Sequence, residues 1–135
     1  MAKLVIKNPV ITVNSIDLST YVSSVTLQKT VNEVTTTAFG DNGVTRIGGL
    51  EDNSVTLSFH EDYAAAKVYA TINPLVGSTT AVTVKPVNTT TSSTNPVWSM
   101  TVLVTEWPLI NGAVGDLATA DITWPVSGVI TTSTS

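Results

Sequence analysis

The 135-residue chain is long enough to bury the core of one domain, and it contains no cysteine, which excludes disulfide frameworks, thiolate catalysis and Cys-based metal sites. Only 12% of the residues are charged, against about 25% in an average soluble domain. The net charge is −4 and the six basic residues are scattered, which argues against tight phosphate binding. So few charges predict a surface largely covered by other subunits; the alternative is a small sandwich with a Ser/Thr surface.

No apolar run in the sequence reaches the length of a membrane span. The start of the chain also lacks the long apolar core and the cleavage site of a signal peptide. We therefore expect no membrane partner, and a protein that is made in the cytoplasm of its host cell.

The first part of the chain alternates as β-strands do. Residues 10–13 and 16–18 are short apolar runs separated by Asn14 and Ser15, a pair typical of a tight turn. Residues 25–32 form a longer alternating segment. Its apolar face consists of Val25, Leu27 and Val31. Its polar face consists of Thr26, Gln28, Thr30 and Asn32.

Residues 35–50 break this alternation and are predicted to form a long loop, with turn signals at residues 41–43 and a Gly pair at 48–49. Loops of this length are uncommon in compact domains unless they are functional or disordered. The loop carries Phe39, Ile47 and Leu50, which are costly to expose. We expect it to pack on a neighbouring subunit, so that deleting residues 40–48 leaves a folded monomer that does not polymerise. The alternative is an ordinary flexible surface loop.

The second part of the chain predicts one helix among further strands. Residues 54–59 alternate again, and residues 62–72 form the helix candidate, with Asp62 as N-cap and Pro74 and Gly77 ending it. Three more strands are predicted at residues 81–85, 97–106 and 116–126, with a Ser/Thr-rich loop at 88–95 and a polar tail at 127–135. We expect the tail to be mobile unless another chain holds it. This order predicts a single mainly-β domain over residues 1–135, a β-sandwich or partly open barrel with one flanking α-helix.

Catalytic, cofactor and metal sites are not predicted. The only histidine is His60, and the nucleophile motif Gly-x-Ser-x-Gly is missing. The acidic pairs at residues 51–52 and 61–62 are typical of a turn and a helix N-terminus. Residues 41–43 lack the spacing of a calcium loop. We therefore expect that the protein is not an enzyme.

The three tryptophans allow a second interpretation, a monomeric carbohydrate-binding module that stacks sugars on exposed rings. Trp98 and Trp124, however, alternate in phase with apolar neighbours and are predicted to lie in the core. Sugar-dependent tryptophan fluorescence from a stable monomer would favour the binding module, whereas large rings or filaments would favour self-assembly.

Four features in this order resemble the major tail tube proteins of long-tailed bacteriophages. They are the Asp17-Leu18-Ser19 turn before residues 22–27, the stretch of residues 33–52, the single helix after Phe59, and the turn at residues 114–119. The resemblance spans nearly the whole chain. It implies a small β-sandwich with one helix, whose copies form hexameric rings that stack into a hollow tube for DNA, a plan shared by type VI secretion tube proteins. A capsid decoration protein is the alternative of similar size and β content.

The resemblance also implies which segments bridge subunits or rings: the long loop, an N-terminal arm at residues 1–9 and the tail at 127–135. The predicted inter-subunit residues of the loop are Phe39, Asp41, Arg46, Ile47 and Leu50. Its partners are expected to be copies of the same chain and other phage tail proteins, in a virion tail assembled in the host bacterial cytoplasm.

An uncharged polar face is predicted to line the tube, because hydroxyl and amide groups can bind water without fixing phosphates, so DNA passes without specific binding. The lumen-facing residues are predicted to be Thr26, Gln28, Thr30, Asn32, Thr56 and Ser58. This prediction requires residues 25–32 and 54–59 to pair as the two sides of a hairpin. The alternative is that the same face meets bulk solvent outside the particle.

Overall fold

The computed structural model of the protein describes residues 3–65 and 67–134. Ten strands and one short α-helix form the described part of the chain. The strands are β1 (Val10–Val13), β2 (Ile16–Asp17), β3 (Val22–Gln28), β4 (Val31–Thr35), β5 (Arg46–Glu51), β6 (Ser54–His60), β7 (Thr79–Lys85), β8 (Val97–Leu103), β9 (Thr119–Pro125) and β10 (Thr131–Ser133). The helix α1 spans Val68–Ile72, and 3₁₀ turns occupy Ser19–Tyr21 and Asn73–Leu75.

Two sheets face each other across one core. The larger sheet has the order β10-β8-β7-β1-β2 and the smaller the order β3-β6-β9, and all neighbouring strands are antiparallel. A bridge between Val102 and Val126 joins the sheets at one corner. Strands β4 and β5 pair only with each other, as a separate two-stranded ribbon. The mainly-β sandwich with one helix that the sequence predicted is confirmed.

The core is built from the alternating apolar faces of both sheets, as the strand patterns predicted. Strands β6 and β9 place Val55, Leu57, Phe59, Ala120, Ile122 and Trp124 inside. Trp124 is fully buried and donates its Nε1–H to the backbone oxygen of Glu106 at 3.0 Å. Truncating a residue of this kind to Ala typically costs about 3–5 kcal/mol of folding free energy. Asn14 and Ser15 form the predicted turn, both at positive φ, between β1 and β2.

The helix is shorter than predicted. It begins at Val68, with Lys67 rather than Asp62 at the N-cap position. The carboxylate of Asp62 instead accepts the backbone N–H of Ala64 at 2.9 Å, a local turn that competes with helix formation. Tyr63 is tied to other elements, since its ring packs on that of Tyr69. Ala66, also inside the predicted helix, lies outside the described residues.

The C-terminal tail also differs from expectation. The tail is not a free polar segment, because Thr131–Ser133 form β10 against β8 and Ile130 is buried. Its pairing partner is therefore its own chain.

In the N-terminal arm, Leu4, Val5 and Ile6 are exposed. Met1, Ala2 and Ser135 lie outside the described residues.

Candidate assembly surfaces

The predicted loop at residues 35–50 is largely a β-hairpin. Strands β4 and β5 pair from Val31↔Glu51 to Thr35↔Arg46, so only residues 36–45 form a loop. The pairing continues the register of the sandwich below it, in which Gln28 lies opposite Ser54. The predicted pairing of the two flanking strands is thus confirmed. We call residues 31–51 the hairpin arm; it extends the β3–β6 ribbon beyond the core.

The hairpin arm exposes apolar side chains on strands and tip alike. Leu50 is 82% exposed, and Phe39 at the tip is fully exposed. The exposed apolar residues of the arm are Val31, Val34, Phe39, Val44, Ile47 and Leu50. Val31 was predicted to share the apolar face of Val25 and Leu27. It is exposed instead, because β4 lies outside the core. Within the described residues, β4 and β5 have no strand neighbour besides each other.

Hydrogen bonds hold the arm in a defined shape. The backbone N–H of Thr36 donates to the oxygen of Thr45 at 2.8 Å, and the two side-chain hydroxyls lie 2.7 Å apart. At the tip, the carboxylate of Asp41 accepts the N–H of Ala38 at 2.7 Å. Arg46 forms an ion pair with Glu33 across the strands. The predicted residues Asp41 and Arg46 are therefore engaged inside the arm, and the exposed apolar side chains are its free groups.

Close packing within the arm requires glycine on β5. A Cβ on Gly49 would lie 2.9 Å from Cγ2 of Val34 and 3.1 Å from the backbone oxygen of Asn32. The first distance is too short for a side chain, and the second leaves almost no room for one. The Gly pair that interrupts the alternation in the sequence thus lies where the backbones of β4 and β5 approach each other closely.

The base of the arm is fixed by Asn53, a residue that the sequence analysis missed. Asn53 is 1% exposed, and its Oδ1 accepts the backbone N–H of Thr30 at 2.8 Å. Its Nδ2 donates to Glu51 at 3.2 Å, and its backbone oxygen accepts the N–H of Val126 at 2.9 Å. The side chain thus joins the two chain segments at the base of the arm, and the backbone oxygen connects the same residue to the sandwich. In the sequence, Asn53 follows an acidic pair and resembles an ordinary turn residue.

The outer face of the smaller sheet is polar, as predicted. Thr26 lies opposite Thr56, and Thr56 lies opposite Thr123 with their hydroxyls 3.1 Å apart. The residues of this face are Ser24, Thr26, Gln28, Ser54, Thr56, Ser58, His60, Thr119, Asp121, Thr123 and Pro125. The structure thus brings together Thr26, Gln28, Thr56 and Ser58 of the predicted lumen set. Asp121 is the one charged member, and β9 was not assigned to this face from the sequence.

Two residues of the predicted lumen set lie elsewhere. Thr30 follows the end of β3, and its backbone groups bond Asn53 and Asp52 at the base of the arm. Asn32 lies in β4, where its backbone contacts Gly49. Alternation alone suggested one continuous strand, but the ladder is interrupted at residues 29–30 on one side and 52–53 on the other.

A partly buried polar cluster lies at the opposite end of β6, away from the arm. Burial raises the pKa of the Glu61 carboxyl above its usual value. Burial, and then the nearby Glu61 carboxylate and Tyr69, raise the pKa of Tyr63. Neither carboxylate oxygen of Glu61 nor Nδ1 of His60 has a hydrogen-bond partner among the described residues. Among residues 3–65 and 67–134, no group of three or more His, Cys, Asp or Glu side chains could hold a metal ion.

The tryptophans do not form an exposed stacking platform. Trp124 is fully buried and Trp107 nearly so, with its ring 5.6 Å from that of Phe59. Trp98 is half-buried and packs against the core. This arrangement confirms the core position predicted for Trp124, and it removes the feature on which a sugar-binding module would depend. None of the helices in the described segments is long and apolar enough to cross a membrane.

The fold is similar to chains of gene transfer agent particles. A chain from the tail of an empty particle, refined helically with C6 symmetry, superposes with a TM-score of 0.64 at 12% identity, covering 84% of this chain and 82% of that chain. A chain from the virion of a native particle gives a TM-score of 0.70 at 11% identity, covering 93% and 95%. No family model and no curated protein sequence matches the chain. The tail-like architecture implied by the resemblance is thus confirmed at the level of the fold.

Proposed function

We propose that this chain is the repeating subunit of a phage-like tail tube, in which copies form hexameric rings that stack into a hollow conduit for DNA. The hairpin arm is the observation that carries the proposal. An ordered ribbon with apolar side chains exposed along its whole length is unfavourable in a free monomer and typical of a surface that another chain covers. The role is structural and requires no catalytic group.

The comparisons support the same role. One similar chain belongs to a tail refined with C6 symmetry, which supports the six-subunit ring of the proposal. The other belongs to an intact virion. By this likeness, the chain would function in a virion tail together with other tail proteins, after assembly in the host bacterial cytoplasm.

The outer face of the smaller sheet is the proposed lumen wall. Its hydroxyl and amide groups bind water, and its charged residue Asp121 is exposed and acidic. Cationic side chains here would attract the phosphate backbone and release counterions, whereas this composition does not. DNA would then pass along the wall without being held.

The proposal is tested by removing the tip of the arm. Thr36 and Thr45 already face each other, so replacing residues 37–44 with Asn-Gly closes the hairpin with a two-residue turn. The variant loses Phe39 and Val44 but keeps β4 and β5. We expect sedimentation to show large assemblies for the native chain and monomers for the variant, with the unfolding free energy of the monomer changed by no more than about 0.5 kcal/mol.

A point substitution provides a matched control for this experiment. Phe39→Ser should also weaken assembly, whereas Val129→Ser, at another exposed apolar side chain outside the arm, should not. Normal tubes from the shortened variant would contradict the proposal that the arm joins subunits. A native chain that stays monomeric at every concentration, with and without other tail proteins, would contradict the tube itself.

A further inference from the structure

A second exposed apolar cluster lies in the loop that connects β8 to β9. Ile110 is 84% exposed and Val114 is fully exposed, while the neighbouring side chains face solvent to a smaller extent. The apolar members of the cluster are Leu109, Ile110, Val114 and Leu117. We call residues 109–117 the apolar loop. No prediction from the sequence assigned it a role.

The apolar loop and the hairpin arm lie at opposite ends of the smaller sheet. The arm leaves β6 at Ser54, which pairs with Pro125 at the end of β9. The apolar loop enters β9 at Thr119, which pairs with His60 at the other end of β6. A strand of seven residues separates these ends by about 20 Å. The arm also continues the β3–β6 ribbon in the direction away from the apolar loop, so the two surfaces of one chain lie at opposite ends of the subunit.

Contacts with the sandwich hold the apolar loop in a fixed shape. The hydroxyl of Tyr63 donates to the backbone oxygen of Leu109 at 2.7 Å. The backbone N–H of Thr119 donates to Asn111 at 3.2 Å, and that of Asp116 to Ala113 at 2.9 Å. The loop thus presents its apolar side chains on a defined surface, which lowers the entropy lost when a partner binds.

Few charges lie on the two surfaces. In the arm, Arg46 pairs with Glu33, Glu51 pairs at 3.8 Å with Lys29 just outside the arm, and the Asp41 carboxylate accepts the N–H of Ala38. The apolar loop contains a single charged residue, Asp116. Little charge would therefore be stripped of water when these surfaces meet, so the desolvation penalty that opposes burial of ions is small.

From this geometry we infer that the apolar loop is the docking surface for the hairpin arm of a second copy of the chain. The inference rests on the proposed tube function and names the surface that receives the arm. Two complementary patches at opposite ends of one subunit give a head-to-tail contact, which repeats in one direction without closing on itself. Stacking would then run along the strands of the smaller sheet, which places the proposed lumen wall parallel to the tube axis.

Cross-linking between cysteine variants tests the inference, because the native chain contains no cysteine. Chains with Gly43→Cys at the tip of the arm, where nothing lies within 4 Å of a new Cβ, are mixed with chains carrying Val114→Cys, allowed to assemble, and treated with a short bismaleimide. We expect a covalent dimer that contains one chain of each variant. A mixture of Gly43→Cys with Val129→Cys is the matched control, since Val129 is also an exposed valine but lies outside the apolar loop, and it should give no such dimer.

The possible outcomes separate the inference from the proposed function. Tubes that form while Cys at positions 110, 114 and 117 all fail to cross-link to position 43 would overturn the inference and leave the tube intact. Failure of every mixture, and of the native chain, to assemble would overturn both. Cross-linking in dilute monomers would show a random encounter and would also count against the docking surface.

Discussion

Thr30 donates its backbone N–H to the buried side chain of Asn53 at the point where the hairpin arm leaves the sandwich. The Asn53 side chain also donates to Glu51, so one amide holds both strands of the arm. Because the amide lies inside the protein, its loss leaves a backbone donor without a partner. The direction of the arm relative to the sandwich therefore depends on this residue.

Asn53→Ala should lower the unfolding free energy of the monomer by about 1–3 kcal/mol, the cost of an unsatisfied buried donor. It should also impair assembly, because the arm loses its fixed direction. Asn95→Ala is the control: Asn95 is buried and bonds Val87 and Thr89 in a different loop. Urea unfolding and sedimentation should show a similar loss of stability in both variants but defective assembly only in Asn53→Ala. Equal assembly defects would contradict the assigned role of Asn53.

Gly49→Ala should distort the arm, since its Cβ would overlap Val34 and the backbone of Asn32. The expected result is faster hydrogen exchange of the β4–β5 amides and weaker assembly, with the core unchanged. Gly43→Ala tests the same chemical change at the tip, where nothing lies within 4 Å of the new Cβ. Slow exchange in β4 and β5 of the Gly49→Ala chain would show that the close approach is not required.

The lumen assignment predicts a difference in chemical protection between the two sheets. Thr56→Cys places a thiol at the centre of the smaller sheet, and Thr101→Cys places one at an exposed position of the larger sheet. Both thiols should react with a polymer-linked maleimide in monomers. In tubes, Thr56→Cys should be protected from a polymer too large to enter the channel, and Thr101→Cys should remain reactive. Equal reactivity in tubes would place the polar face on the outside.

Glu61 should make the stability of the monomer depend on pH. Burial raises its pKa above the usual 4.5, so in acid the folded state binds a proton more readily than the unfolded state does. Stability therefore decreases as the pH rises from about the usual value through the raised one. Glu61→Gln should be more stable than the native chain at pH 7, and this gain should shrink toward pH 4. Urea titrations at both pH values, with the exposed Asp121→Asn as control, test the prediction; a gain that does not change with pH would contradict it.

The strand alternation predicted most of the sandwich because each strand buries one face and exposes the other. This holds for β6 and β9, whose core residues Leu57 and Ile122 lie opposite each other. The tight turn at Asn14 and Ser15 was also predictable, since it is a local choice of the backbone. The helix start was wrong because Asp62 forms a local turn and Tyr63 is held by Leu109, a contact that sequence spacing does not reveal.

The assembly surfaces were predicted only in part, because their geometry depends on pairing between distant residues. Phe39 and Leu50 were identified as costly to expose, yet the glycines hid that β5 is a strand stabilised by β4. Asn53 resembles a turn residue until its burial is known. The apolar loop has no periodicity, and its place opposite the arm follows only from the pairing of β9 with β6.

Electron microscopy of the purified native chain tests the central claim most directly. We expect hollow tubes built of stacked rings, with the smaller sheet facing the channel and the hairpin arm of each subunit lying against the next ring. Dispersed monomers over a wide range of concentration and salt, alone and together with the other tail proteins, would contradict it.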